Sequence, residues 1–298
     1  MSTVYRLRQN WLSRFLFCFG ASLLFLGAAT CVTPPPKIAA VSLVLDRSTV
    51  PLGGPLELTI RFDVAPTFER LAEDFRVFVH FLDANDELMW ADDHDPPIPT
   101  TDWVPGQLIS YSRRSIIRMY PYIGEASIAV GLYSATTGER LVLAGKDLGE
   151  RTYRVAALTL EPQPESAFLI YEDGWHQTES DLSGRQWRWT SELAGLAFRN
   201  PIGNTVLHLE VQGRPDLFDV PQKVEIMLGE QTLYELLLDS SHIRYKKIRL
   251  IAADLGTTPT VNLSIRVSQT FIPAELDESS MDTRRLGVSV SYVFLEPR

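Results

Sequence analysis

The chain has 298 residues, 45% apolar and 22% charged, with a net charge of −9. That balance is globular rather than disordered, and its acidity argues against nucleic acid and against a polybasic lipid-binding surface. Both cysteines, Cys18 and Cys31, lie in the first 31 residues. Thiol catalysis, disulfide frameworks and Cys-rich zinc sites are therefore excluded from the body of the chain.

The first predicted element is an apolar segment at 11–32, with Arg6, Arg8 and Arg14 at its N-terminal end. Residues 15–32 carry no charge and as a helix would span about 27 Å, enough for a thin hydrocarbon core. Three readings stay open. The segment is a signal anchor with a cytoplasmic N-terminus, since the arginines precede it. It is a cleaved signal peptide, given the small residues Gly27, Ala28 and Ala29. Or it is a bacterial lipoprotein signal, with Cys31 as the candidate for lipidation. All three place the body outside the cytoplasmic membrane, in the periplasm of a bacterium. Pro34, Pro35 and Pro36 then read as a stiff spacer closing an N-terminal region at 1–37.

The body reads as strands. The first series is expected at 41–45, 56–64, 75–82, 87–91, 108–111 running on towards 117, 126–133, 140–143 and 153–160. Alternation is clearest at 75–82, where Phe75, Val77, Val79 and Phe81 share one face. Pro51, Gly53, Gly54 and Pro55 supply turn chemistry, and 67–74 is expected to form one short helical turn. Prolines at 162 and 164 disfavour both ladder and helix, so 161–166 is the expected linker between a sandwich at 38–160 and another at 167–298. The second series falls at 167–171, 186–190, 195–198, 206–211, 223–228, 233–238, 247–250, 261–267 and 288–295. Nine strands of this spacing suit a jelly-roll type of sandwich. The fold class is therefore all-β: two tandem antiparallel β-sandwiches after one N-terminal transmembrane or signal helix.

Residues 75–143 resemble an Ig-like module found at the periplasmic end of some bacterial envelope glycosyltransferases and related proteins. The carrying residues are Val77-Phe78-Val79-His80-Phe81-Leu82-Asp83, Asp93-His94-Asp95-Pro96-Pro97, Trp103-Val104-Pro105-Gly106, and Val130-Gly131-Leu132-Tyr133 with Gly138-Glu139-Arg140-Leu141. Residues 168–295 resemble a jelly-roll module of the same setting, similar in kind to carbohydrate-binding modules. Here the match rests on Gly174-Trp175-His176-Gln177-Thr178-Glu179, Trp187-Arg188-Trp189-Thr190 and Asp282-Thr283-Arg284-Arg285-Leu286-Gly287-Val288. The resemblance implies scaffold and accessory roles; no glycosyltransferase body is attached, so that activity is not implied.

Asp92, Asp93, His94 and Asp95 are four potential oxygen and nitrogen ligands in a row. Neighbours in extended chain point to opposite faces, so a solvated loop is favoured over a metal site. His80 reads as a strand residue making a cross-strand hydrogen bond. The sequence carries no nucleophile elbow, zinc-protease motif, phosphate loop or dinucleotide fingerprint. Trp175, Trp187 and Trp189 are candidates for a pyranose platform. Trp187 and Trp189 share a face by strand alternation; if inward they are core, the favoured reading, and if outward they form a ligand or partner surface. Arg188 faces the other side. Arg284 or Arg285 is expected to clamp a carboxylate such as Glu179 or Asp282, or, functionally, to meet an acidic sugar.

These observations add up to a protein without catalytic residues, cofactor or metal, held to the membrane through 11–32. Its expected role is an accessory or structural subunit that stabilises a larger membrane protein complex through protein–protein contacts. The alternative is a carbohydrate-binding surface lipoprotein of the cell envelope.

Overall fold

A computed structural model describes residues 35–298. The expected membrane segment at 11–32, with Cys31, lies outside the described residues. Among the described residues no helix is long and apolar enough to cross a membrane.

The chain enters a first set of nine strands. They are β1 (Ala39–Leu45), β2 (Thr49–Pro51), β3 (Pro55–Val64), β4 (Phe75–Leu82) and β5 (Leu88–Ala91). After them come β6 (Leu108–Ile116), β7 (Gly124–Ser134), β8 (Lys146–Asp147) and β9 (Tyr153–Glu161). One sheet has the order β1-β3-β6; the other runs β2-β9-β7-β4-β5, with β8 on β9. All pairings are antiparallel except β2 with β9. Period-2 alternation builds the core between them. Leu56, Leu58, Ile60 and Phe62 of β3 face Val77, Val79 and Phe81 of β4 in one buried cluster. Phe78 points the other way and is still buried. It lies over Gly131, where any Cβ would collide with the Phe78 ring, and the Arg140 guanidinium covers it at 4.7 Å.

Two expected elements are absent. Residues 140–143 make only a bridge from Arg140 to Tyr133 and a Leu141 amide hydrogen bond to the Leu132 carbonyl, because from Val142 the segment runs beside the start of β1. Its Val142 carbonyl accepts from Ile38 and its Ala144 amide donates to Ala39. Residues 67–74 form turns and bends rather than a helical turn. Phe68 is drawn into the core there, and the Asp74 carboxylate accepts the Thr101 amide and hydroxyl.

Glu161 ends β9, and Glu165–Ala167 form a 3-10 turn within the expected linker and just past it. Ten strands follow. They are β10 (Ile170–Tyr171), β11 (Glu179–Ser180), β12 (Gln186–Trp189), β13 (Leu193–Arg199) and β14 (Thr205–Gln212). Next are β15 (Gln222–Leu228), β16 (Gln231–Leu238), β17 (Arg244–Leu250), β18 (Thr260–Val267) and β19 (Ser289–Pro297). The sheets are β10-β13-β18-β15-β16 and β11-β12-β19-β14-β17. Leu196, Phe198, Ile226 and Ile265 of the first meet Leu207, Leu209, Val211 and Leu295 of the second. The fold is all-β, as the alternation predicts.

Residues 37–298 form one compact unit, because the outer face of β14, β17 and β19 is covered by the first sandwich. His208 and Phe294 on that face are 0% and 2% exposed. The Tyr292 hydroxyl donates to the Gly53 carbonyl at 2.7 Å. Arg114 of β6 pairs with Glu210 at 3.2 Å and lies 3.3 Å over the Tyr245 ring. Lys247 reaches Glu57 at 3.5 Å.

Candidate functional site

The β11–β12 edge of the second sandwich carries the aromatic candidates. Register decides which way they face. Arg188 pairs with Val290 and Trp189 with Ser289. Val290 belongs to the buried core, so Arg188 turns to the inner side, where its guanidinium lies 4.6 Å over Tyr171 of β10. Trp187 and Trp189 therefore face outward, and both are half-buried. The favoured core reading of this pair is corrected: the inner side at this edge is occupied by Arg188.

Around the pair the polar groups are ordered. Glu179 is the cross-strand neighbour of Trp187, and it accepts the Trp189 indole N–H at 3.3 Å. Arg284 bridges Glu179 at 2.8 Å and Asp282 at 2.6 Å. The hydrogen bonds from the Arg284 side chain and backbone pull the Asp282 carboxyl down to about 2, and Asp282 raises Arg284 in turn. Trp189 packs edge-on against buried Phe271 at 5.5 Å. Arg185 lies 5.6 Å over the Trp187 ring. The result is a half-exposed indole surface beside a fixed Glu–Arg–Asp array, which offers apolar contact and directed donors and acceptors together.

Trp175 is placed differently. It packs on the core, edge-on to Tyr171, and its indole N–H donates to the Gly195 carbonyl at 2.7 Å. The preceding Gly174 has φ +90°, and a Cβ there would run into the Leu193 carbonyl, so only glycine suits this turn. Arg285 is exposed, with a long 3.5 Å hydrogen bond to Thr270. Its backbone carbonyl contacts the His176 ring at 3.0 Å.

The four residues at 92–95 diverge. Asp92 pairs with Arg113 at 2.6 Å and Asp95 with Arg76 at 2.8 Å. His94 is buried, with Nε2 2.7 Å from the Tyr111 hydroxyl. Burial and the Arg113 charge lower its pKa. One Asp93 carboxylate oxygen is buried without a partner. Among the described residues no group of three or more His, Cys, Asp or Glu side chains is arranged to hold a metal ion. The His80 side chain makes no hydrogen bond among those the described residues show; its ring lies 4.5 Å from Phe78, and burial lowers its pKa.

Sequence reasoning does not anticipate the buried network where the sandwiches meet. Glu296 receives Arg47 of the first sandwich, Arg298 at 3.1 Å and His208 Nε2 at 2.8 Å. An ionised Glu296 accepts a hydrogen bond from His208 Nε2–H, and His208 Nδ1 lies 2.6 Å from the Tyr245 hydroxyl. Burial opposes ionisation of Glu296, but the His208 hydrogen bond and the Arg47 and Arg298 charges outweigh it, so its pKa falls. Burial pushes Tyr245 up to about 12. Beside this network opens a groove of about 650 Å³ between the sandwiches, reaching Gln186 at the start of β12.

No protein-family model and no curated protein sequence matches the chain. Several solved structures show slight likeness. The DNA glycosylase AlkC of Pseudomonas fluorescens, which acts on alkylpurines, matches at 13% identity over 42% of this chain and 30% of its own, with a TM-score of 0.26. The C-terminal CBM6 of LamC from Zobellia galactanivorans matches at 12% identity over 45% of this chain and 95% of its own, TM-score 0.26. The N-terminal CBM22-1-CBM22-2 tandem of Xyn10C from Paenibacillus barcinonensis matches at 9% identity over 87% and 91%, TM-score 0.26. Carbohydrate-binding modules are thus among the similar structures, but likeness at this level assigns no function.

Proposed function

We propose that the chain is a non-catalytic glycan-binding protein, carried outside the cytoplasmic membrane by its N-terminal segment. One observation carries this reading: Trp187 and Trp189 face outward on β12 beside the Glu179–Arg284–Asp282 array. An indole surface stacks on the apolar C–H face of a pyranose, while ordered carboxylates and a guanidinium take its hydroxyls. Trp187 is the platform, because Trp189 is committed to Phe271 and Glu179.

The test is binding of full-length protein, purified in mild detergent, to a panel of defined oligosaccharides. Calorimetry should show Trp187→Ala weakening the best ligand by about tenfold or more, the scale of one lost aromatic contact of 1.4 kcal/mol. The variant's melting temperature should stay at the wild-type value. Absence of binding to every glycan, or equal binding by the variant, would overturn the reading.

The second reading is an accessory subunit of a membrane protein complex. It is favoured by the edge strand β10, beside which Phe168 and Ile170 are 60% and 62% exposed. Exposed apolar groups on a sheet edge suit a protein partner. Co-purification of a stoichiometric partner that Phe168→Ser/Ile170→Ser releases would select this reading.

A further inference from the structure

Among the described residues, several arginines are closely paired. Arg113, Arg114 and Arg284 meet carboxylates at 2.6–3.2 Å. Two that line the groove between the sandwiches are not. Arg118 is exposed, and its one side-chain hydrogen bond among the described residues is a 3.5 Å contact with the Ala91 carbonyl. Arg185 is 45% exposed in its side chain; its polar contacts are long, 3.9 Å to Asp181 and 3.5 Å to Gln212, and it lies 5.6 Å over the Trp187 ring. The carboxylate in the groove, Glu210, is already taken by Arg114 at 3.2 Å and by the Ser291 hydroxyl at 3.2 Å. Two loosely held guanidiniums therefore face a groove of about 650 Å³ whose own acid is neutralised. They do so in a chain whose net charge is −9.

The groove has the other parts of a binding cleft. It lies where two sandwiches meet, and its volume falls within the range of pockets that hold small ligands. Met119 gives it an apolar wall, while Gln163 and Gln186 bring amide donors and acceptors. It adjoins the indole surface through Arg185, which lines the groove and lies over the Trp187 ring.

We infer that this groove is the subsite for a carboxylate-bearing sugar, a uronate unit of the glycan whose neighbouring ring stacks on Trp187. The inference rests on the glycan-binding reading and adds the ligand's charge. The planar fork of a guanidinium matches a carboxylate with two parallel hydrogen bonds. Loose ties to Asp181 and Ala91 leave both forks free to turn to a ligand. Burial of the sugar ring against Met119 would strengthen those bonds by lowering the local dielectric.

The experiment compares a defined oligouronate with its carboxyl-reduced neutral counterpart. Calorimetry at low and high salt would use the full-length protein, Arg118→Gln, Arg118→Gln/Arg185→Gln, and Trp187→Ala. Wild type should prefer the uronate by roughly tenfold or more, the size of one charge-assisted hydrogen bond, and the preference should shrink in high salt. The double-Gln variant should lose the preference, and Arg118→Gln alone should weaken it at unchanged affinity for the neutral sugar. Trp187→Ala should weaken both ligands alike. A wild type that binds both sugars equally, or a double-Gln variant that keeps the preference, overturns the groove assignment and leaves glycan binding standing. A wild type that binds neither sugar overturns both.

Discussion

Replacement of Glu296 by Gln tests whether the two sandwiches are held as one body by the buried network. Glu296 is 7% exposed and accepts from Arg47, Arg298 and His208. Removing one partner of a buried ion pair costs about 3–5 kcal/mol when the other charge is left uncompensated. The structure argues for a value just below that range. Arg47 keeps Asp46 at 3.1 Å, and a Gln can still accept from His208. A loss of about 2–3 kcal/mol is expected. For a chain of this size each kcal/mol moves the melting temperature by about 2–4 °C, so calorimetry should show a drop of about 5–10 °C in Glu296→Gln. Acid dependence follows from the sign of the pKa shift. The folded-state pKa of Glu296 lies below the ordinary value of 4.5. Its contribution is therefore complete above pH 4.5 and is lost as pH falls through the folded value. Wild type should lose stability over that window, and Glu296→Gln should lose less. A Glu296→Gln variant that melts within about 1 °C of wild type, a shift below half a kcal/mol, or an unchanged acid profile, would show that the Glu296 network does not hold the sandwiches together.

Three further outcomes follow from local geometry. The Asp282 carboxyl, observed by NMR, should titrate at about 2 and rise towards 3.8 in Arg284→Gln; a carboxyl already at 3.8 in wild type would remove the clamp. Gly174→Ala should lose more than about 1 kcal/mol, because alanine disfavours positive φ and its Cβ meets the Leu193 carbonyl; an unchanged denaturation midpoint would contradict this. A strong chelator should leave the melting temperature unchanged, since Asp92, His94 and Asp95 are each turned to a different protein partner; a fall of several degrees would reveal a bound ion.

Much of the strand pattern is legible because alternation is a local property. Phe75, Val77, Val79 and Phe81 declare the inward face of β4. Orientation at the β11–β12 edge is not legible. Alternation says that Trp187 and Trp189 share a face, but only the pairing of Arg188 with Val290 and of Trp189 with Ser289 says which face. The junction left one trace. Val206, Leu207, His208 and Leu209 run without polar alternation, and all four are buried. Such a run marks a strand covered on both sides, but it does not say that a second sandwich provides the cover. Apolar residues at 141–143 imitated a strand for the opposite reason: Leu143 is buried in the core while the backbone bonds of Val142 and Ala144 go to the start of β1. The groove was invisible because Arg118 and Arg185, 67 positions apart, meet only through the docking of the sandwiches.

Glycan binding through Trp187 is tested most directly by calorimetric titration of the full-length protein, wild type and Trp187→Ala side by side, with a panel of neutral and uronate oligosaccharides. Saturable binding to at least one of them is expected in wild type, with a loss of about tenfold or more in the variant at unchanged melting temperature. Wild-type protein that binds none of them, or a variant that binds as well as wild type, would contradict glycan binding through Trp187.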